Sequence, residues 1–340
     1  MNKKISKLCT VLFVLGCSES FASKGNIEFS QTFYGNSGKY KTETAHPSIE
    51  LNYNFNDNWG GTLGWDRTFN MYNYNGGQFE QNNNYSSPYG SITYSKNHLN
   101  RTKINTKTTV TLKDETTFND PSQMYGMVQS IFDFAEYLPS GEYIKPTQFA
   151  ISPIYIYGWN LGNPSGHQNS GALGFLSNWN LPNNFSFTLN AFLSKDWYNG
   201  AFTLSNDSGD KIDESVYFGV YGWLNYNKEI CQFNQQTNLM FNFIGGFDPY
   251  IVSNKKSNYG MPYLYADQMY EWLSPTNQEG SYKNTYELFA LPQLQLNYKY
   301  SDNTTISLFA QVKYSNQTYG ETEKDWKLQP QGGVSVNYTF

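Results

Sequence analysis

Histidine is the residue that hydrolytic chemistry would need first, and the chain has only three: His46, His98 and His167. His46 precedes Pro47 at the entrance of a predicted strand. His98 falls in a predicted short turn, and His167 in a connection rich in Gly, Asn and Pro. None shares a strand with a Ser or Asp at a partner position, so nothing points to an activated nucleophile. The three cysteines, Cys9, Cys17 and Cys231, form no metal-ligand spacing with histidine. Phosphate-binding loops, dinucleotide fingerprints and nucleophile elbows are missing as well, so no cofactor and no metal are expected. What the sequence does repeat is amide and hydroxyl side chains at every second position. Such groups exchange hydrogen bonds with water or with hydroxylated solutes.

The N-terminus bears on where these groups operate. Lys3, Lys4 and Lys7 precede an apolar stretch from Leu8 to Leu15, and Ser20-Phe21-Ala22 offers small residues where a signal peptidase reads. Residues 1–22 are therefore expected to be a signal peptide and 23–340 the mature domain. Cleavage removes Cys9 and Cys17 and leaves Cys231 alone, so no disulfide framework is expected. The formal charge of −5 becomes more negative once three lysines and Glu19 are gone, which argues against nucleic acid as a partner. Charged residues make up only 15% of the chain while aromatic residues reach 18%, with 29 Tyr, 24 Phe and 8 Trp. One soluble core of this size does not need that many rings, whereas two interfacial girdles of a membrane barrel do.

Alternation supplies the geometry. A barrel strand turns every second side chain to lipid and the others to the lumen. From Leu328 onward, Leu328, Pro330, Gly332, Val334, Val336, Tyr338 and Phe340 form an outward set, and Gln329, Gln331, Gly333, Ser335, Asn337 and Thr339 an inward one. Ile306, Leu308, Ala310, Val312 and Tyr314 likewise alternate with Phe309, Gln311 and Lys313, and Leu288, Leu294 and Leu296 with Gln293, Gln295 and Asn297. Near the start, Ile49, Leu51, Tyr53 and Phe55 alternate with Glu50, Asn52 and Asn54. Ile104, Val110 and Leu112 alternate with Lys103, Asn105 and Lys107. The expected pore lining is therefore Glu50, Asn52, Asn54, Lys103, Asn105, Lys107, Gln293, Gln295, Asn297, Phe309, Gln311, Lys313, Gln329 and Gln331. Tyr34, Trp59, Trp179, Trp223 and Tyr300, near strand ends, are read as girdle residues.

Short connections at 56–58, 96–100, 181–184, 227–230 and 301–303 alternate with long polar stretches, above all Gly245 to Asn284. This rule yields thirteen clear strands. A single-chain bacterial barrel has an even number, so a further strand is placed near 122–134. The fold class is thus all-β, a transmembrane antiparallel β-barrel of about fourteen strands, or twelve if 147–158 is loop. Within the long stretch, Tyr263, Tyr265, Asp267, Tyr270, Glu271 and Trp272 are candidates for a loop gate that touches solute.

The ending Gly333-Val334-Ser335-Val336-Asn337-Tyr338-Thr339-Phe340 resembles that of the OmpG-like monomeric outer-membrane porins. The match covers the last strand, with similar length and tyrosine-rich hairpins. The oligogalacturonate-specific porins are the next nearest family. This resemblance implies a 14-stranded monomer that passes ions and small sugars, and a terminal Phe340 recognised by the outer-membrane assembly machinery. The arginine-rich lumen of that family has no counterpart here, where Arg67 and Arg101 are the only arginines. Outer-membrane lipid and small hydrophilic solutes are the remaining expected partners. A barrel devoted to adhesion through its loops is the other reading.

Overall fold

Alternating side chains satisfy two solvents only if the sheet leaves no open edge, and the chain closes its sheet into a cylinder. The computed structural model describes residues 25–35, 44–70, 85–117, 123–160, 166–200, 204–205, 209–257, 282–318 and 321–340. The barrel strands are β1 (Gly25–Tyr34), β2 (Thr44–Asn54), β3 (Trp59–Asn70), β4 (Tyr85–Lys96), β5 (Asn105–Thr117), β6 (Gln123–Asp133) and β7 (Lys145–Asn160). They continue as β8 (His167–Asn180), β9 (Phe185–Asn199), β10 (Glu214–Asn234), β11 (Thr237–Ser257), β12 (Tyr282–Lys299), β13 (Thr304–Thr318) and β14 (Glu321–Thr339). Each pairs antiparallel with its chain neighbours, and β1 closes on β14 from Asn26–Thr339 to Tyr34–Gln331. At the seam Gly25 N–H donates to Phe340 O at 3.0 Å and Phe340 N–H to Gly25 O at 2.9 Å. A two-stranded piece, Leu204–Ser205 with Lys211–Ile212, lies in the connection after β9.

The expected fourteen strands are all present. The strand placed near 122–134 is β6, and 147–158 is strand, so the twelve-strand alternative falls. Two boundaries differ from expectation. Residues 227–230 are not a turn: β10 runs on to Asn234, and the hairpin bends at 235–236. Side chains hold that extension as ladder, since Asn227 Nδ2 donates to Asn242 Oδ1 at 2.5 Å and Asn238 Nδ2 to Glu229 Oε2 at 2.7 Å. Two register shifts, between Glu229 and Cys231 and between Gln232 and Asn234, absorb the extra residues. Likewise Gly245–Ser257 is strand rather than loop, because Tyr250, Ile251 and Val252 pair with Val220, Gly219 and Phe218.

The rim that carries Gly25 and Phe340 also carries connections 55–58, 97–104, 134–144, 181–184, 235–236 and 300–303. At the far rim the sequence separations between consecutive strands are the longest, from Asn70 to Tyr85, from Asn199 to Glu214 and from Ser257 to Tyr282, and they are short from Thr117 to Gln123 and from Thr318 to Glu321. On the terminal rim two neighbouring connections are tied together. His98, Asn100 and Arg101 take left-handed φ values of 55°, 49° and 65°. Glu136 then accepts from Asn105 Nδ2 at 2.7 Å and meets His98 Nε2 at 3.0 Å. Hydrogen bonds from Asn105 and His98 hold the Glu136 carboxyl below the usual carboxylate range. A lowered folded-state pKa means the tie is present at neutral pH and is lost as pH falls through that lowered value. Protection of the amides in 97–104 and 134–138, taken relative to their intrinsic exchange rates at each pH, is therefore expected to fall below the usual carboxylate range, and to be low at every pH in Glu136→Gln.

Candidate functional site: the inner wall

The outer surface identifies the solvent around the barrel. Ile27, Phe29, Ile49, Ile92, Val110, Leu112, Leu173, Leu193, Leu294 and Leu308 point outward, each 36–55% exposed. In water a continuous belt of that kind would be a large aggregation-prone patch; hydrocarbon removes the penalty. Rings edge the belt on both sides. Near the terminal rim Trp59 sits 4.9 Å from Tyr94, Phe149 6.4 Å from Trp179 and Phe185 4.6 Å from Tyr226. Near the far rim Tyr157 stacks on Trp159 at 5.7 Å, and Tyr314 lies 4.7 Å from Trp326. Lys195 Nζ sits 5.2 Å above Trp197 and 3.0 Å from Glu214, the snorkelling geometry of a cation at an interface. The chain is an outer-membrane barrel.

Side-chain parity assigns the inner wall. Glu50, Asn52 and Asn54 on β2, Asn105 and Lys107 on β5, and Gln293, Gln295, Asn297, Phe309, Gln311, Lys313, Gln329 and Gln331 on β12–β14 all lie on the inner side of the ladder. Lys103 does not: Thr102 Oγ1 caps Leu99 O at 2.6 Å and ends the alternation, leaving Lys103 in the terminal-rim connection. Asn105 sits at the lip, its amide committed to Glu136. The gate candidates Tyr263, Tyr265, Asp267, Tyr270, Glu271 and Trp272 lie outside the described residues. Trp59 and Trp179 face outward and Tyr300 lies in a rim turn. Tyr34 and Trp223, however, face inward: Tyr34 pairs with Gln331 and Trp223 with Thr188.

Amides on five strands form one row around the wall. Asn227 donates to Asn242, Asn242 Nδ2 to Gln293 Oε1 at 2.7 Å, and Gln293 Nε2 to Gln311 Oε1 at 2.6 Å. Gln311 donates to Gln331, and Gln331 Nε2 to Gln329 Oε1 at 2.9 Å. Asn227, Asn242, Gln293, Gln311 and Gln331 are direct Cα partners from β10 to β14, so the ladder register itself builds the row. Every bond runs in the same sense, so each polarises the next. A second, shorter row links Asn238, Asn297 and Ser307.

Carboxylates occupy the adjoining arc. Glu28 and Glu50 are Cα partners, and Asp66 lies across Ser48 on the same face. Glu50 accepts from Asn52 Nδ2 at 2.7 Å and from the Tyr89 hydroxyl. Tyr89 reaches it by lying across Gly64, where a Cβ would meet the ring 2.1 Å away. Tyr125 over Gly158, Phe192 over Gly174 and Phe309 over Gly333 repeat this arrangement, laying rings flat along the wall.

The inner wall also has an apolar arc that alternation did not reveal. Tyr125, Met127, Ala150, Ile154, Ile156, Leu176, Phe192, Tyr217, Tyr221 and Ile251 form one buried cluster from β6 to β11, with Trp223 packed against it. Lys313 and Gln329 are buried as well, at 1% and 0% exposure, while Asn54 and Lys107 are exposed. Burial of the inner wall is thus uneven, with the arc from β6 to β11 packed and Asn54 and Lys107 on β2 and β5 open to solvent. Among the described residues no three or more His, Cys, Asp or Glu side chains come together as a metal-ligating group.

No protein-family model and no curated protein matches the chain. Solved structures of similar outline include the outer membrane channel DcaP of Acinetobacter baumannii, at 9% identity over 94% of this chain and 96% of that one, with a TM-score of 0.38. OmpF of Salmonella typhi is similar at 12% identity, 94% and 97% coverage and a TM-score of 0.35. The NanC porin stands at 8%, 91% and 98%, and 0.34. Scores this low bear on neither mechanism nor substrate, which rest on the residues themselves.

Proposed function

We propose that this barrel is a passive channel for small hydrophilic solutes, neutral sugars and ions among them, exported by its N-terminal signal, inserted by the outer-membrane assembly machinery and working as a monomer. The observation that carries the reading is the amide row: a belt of side chains able to trade hydrogen bonds with water or hydroxyl groups, on the face opposite a lipid-facing apolar belt. Gating by the segment 258–281 belongs to this reading, and its deletion should raise the open probability in planar bilayers.

The buried apolar cluster favours one rival, a barrel with a plugged lumen whose far rim serves surface attachment. Single-channel recording on refolded protein separates the two. Discrete conductance steps, with liposome swelling in small sugars that falls off as the sugar grows, support the channel; a silent bilayer supports the rival.

Selectivity follows from the wall. Among the described inner-face charges that solvent reaches, Glu28, Glu50 and Asp66 outweigh Lys107 and Lys113, whereas Lys313 is buried at 1% exposure. A reversal potential of cation-preferring sign is therefore expected in a KCl gradient, and Glu50→Gln should move it toward zero. An anion-preferring sign would contradict this charge assignment.

A further inference from the structure

We propose that Asp196 and its flanking serines bind a monovalent alkali cation, Na+ in the first instance, on the inner wall toward the far rim. Asp196 projects inward from β9, and its Cα partners on either side are Ser170 of β8 and Ser215 of β10. All three are buried, at 0%, 2% and 1% exposure. One carboxylate oxygen, Oδ2, accepts from the Tyr198 hydroxyl at 3.1 Å and from Gln168 Nε2 at 3.4 Å. The other, Oδ1, has no hydrogen-bond partner, and neither has Ser215 Oγ on the residue directly opposite.

A carboxylate shut away from water needs a counter-charge or a proton, because desolvation of the bare ion costs more than hydrogen bonds to neutral groups return. Among the described residues none supplies a counter-charge at this point. Lys195, the next residue, points outward and is engaged with Glu214 and Trp197. Tyr198, Gln168 and Ser170 are neutral donors.

Chemistry then selects the class of ion. Every available ligand atom is oxygen: Asp196 Oδ1, Ser215 Oγ and Ser170 Oγ. Oxygen ligands suit hard cations. Gln168 can turn its amide about to offer one more oxygen, since its nitrogen and oxygen are geometrically interchangeable. One carboxylate among neutral oxygens balances a single positive charge; a divalent ion would leave a buried net charge. Directly opposed strand residues hold their Cβ atoms about 4.5–5.5 Å apart, a span that a small ion bridging Oδ1 and Oγ fits.

The test is thermal unfolding of refolded protein in detergent, followed by β-sheet circular dichroism, in NaCl against N-methyl-D-glucamine chloride at equal ionic strength. For the wild-type chain the midpoint is expected to rise by about 2–4 °C for each tenfold increase in Na+ once the site fills. That rise should disappear in Asp196→Asn and shrink in Ser215→Ala. Equal midpoints in the two salts for the wild type overturn the proposal, as does a Na+ response that survives Asp196→Asn. If Asp196→Asn does not refold, a Ser215→Ala response as steep as the wild type's overturns it instead. The readout needs no conducting pore, so its failure leaves the channel reading untouched.

Discussion

Gly246→Ala is expected to cost this barrel about 3 kcal/mol or more and to cut the yield of refolded protein sharply. A Cβ at Gly246 would stand 2.0 Å from Gly222 O and 2.7 Å from Trp223 Cα. Both obstacles are backbone, and the backbone of β10 is pinned there by its ladders to β9 and β11. No rotamer change relieves the contact; the strands must separate or slip. Slipping by one residue would turn the amide row toward lipid and the leucines toward the lumen, so the register resists. Gly126→Ala is the control, since the nearest atom to its added Cβ lies 3.5 Å away, an ordinary contact. Conversion of the heat-modifiable band on gels, together with urea unfolding in detergent, measures both. A Gly246→Ala barrel as stable as the Gly126→Ala barrel would mean that Gly246 does not face Trp223 as described.

How legible the fold was depended on whether the two faces of a strand differ. On β14, Val334, Val336 and Tyr338 alternate with Ser335, Asn337 and Thr339, a contrast that marks the two faces of the ladder. On β7, Ile151, Tyr155 and Tyr157 face lipid while Ala150, Ile154 and Ile156 face the interior cluster, so both faces are apolar and parity carries no sign. The same mixture blurs β6, where Tyr125 and Met127 point inward, so that the even strand count and not alternation places it. A strand apolar on both faces is the ordinary signature of burial on both sides, and the run Ile151–Tyr157 displayed it. Position along the strand makes Tyr34 and Trp223 girdle candidates, but it says nothing about face. Parity with Ser30 and Thr32, or with Tyr217 and Tyr221, would have turned them inward. The amide row was legible residue by residue but not as a row, because only register brings Asn227, Asn242, Gln293, Gln311 and Gln331 abreast.

Phe192→Ala probes the apolar arc directly, and its expected loss is about 3–5 kcal/mol, the range for a fully buried phenylalanine. The ring is 0% exposed, lies across Gly174 and meets Tyr221 edge-on, with centroids 5.7 Å apart and planes at 87°. Gly174 cannot fill the gap, having no side chain, and Tyr221 is itself held in the cluster, so most of the cavity should persist. Leu193, the next residue, makes the comparison informative, because it faces lipid at 55% exposure and its truncation trades only lipid contacts. Leu193→Ala should therefore unfold close to the wild type in urea and conduct unchanged. Phe192→Ala should unfold at markedly lower urea and, where this packed arc narrows the path, show a larger single-channel conductance. Equal destabilisation by the two substitutions would mean that residue 192 does not point into a packed interior. A large loss of stability with conductance unchanged would keep the packing and place the narrowest point of the path elsewhere than beside this ring.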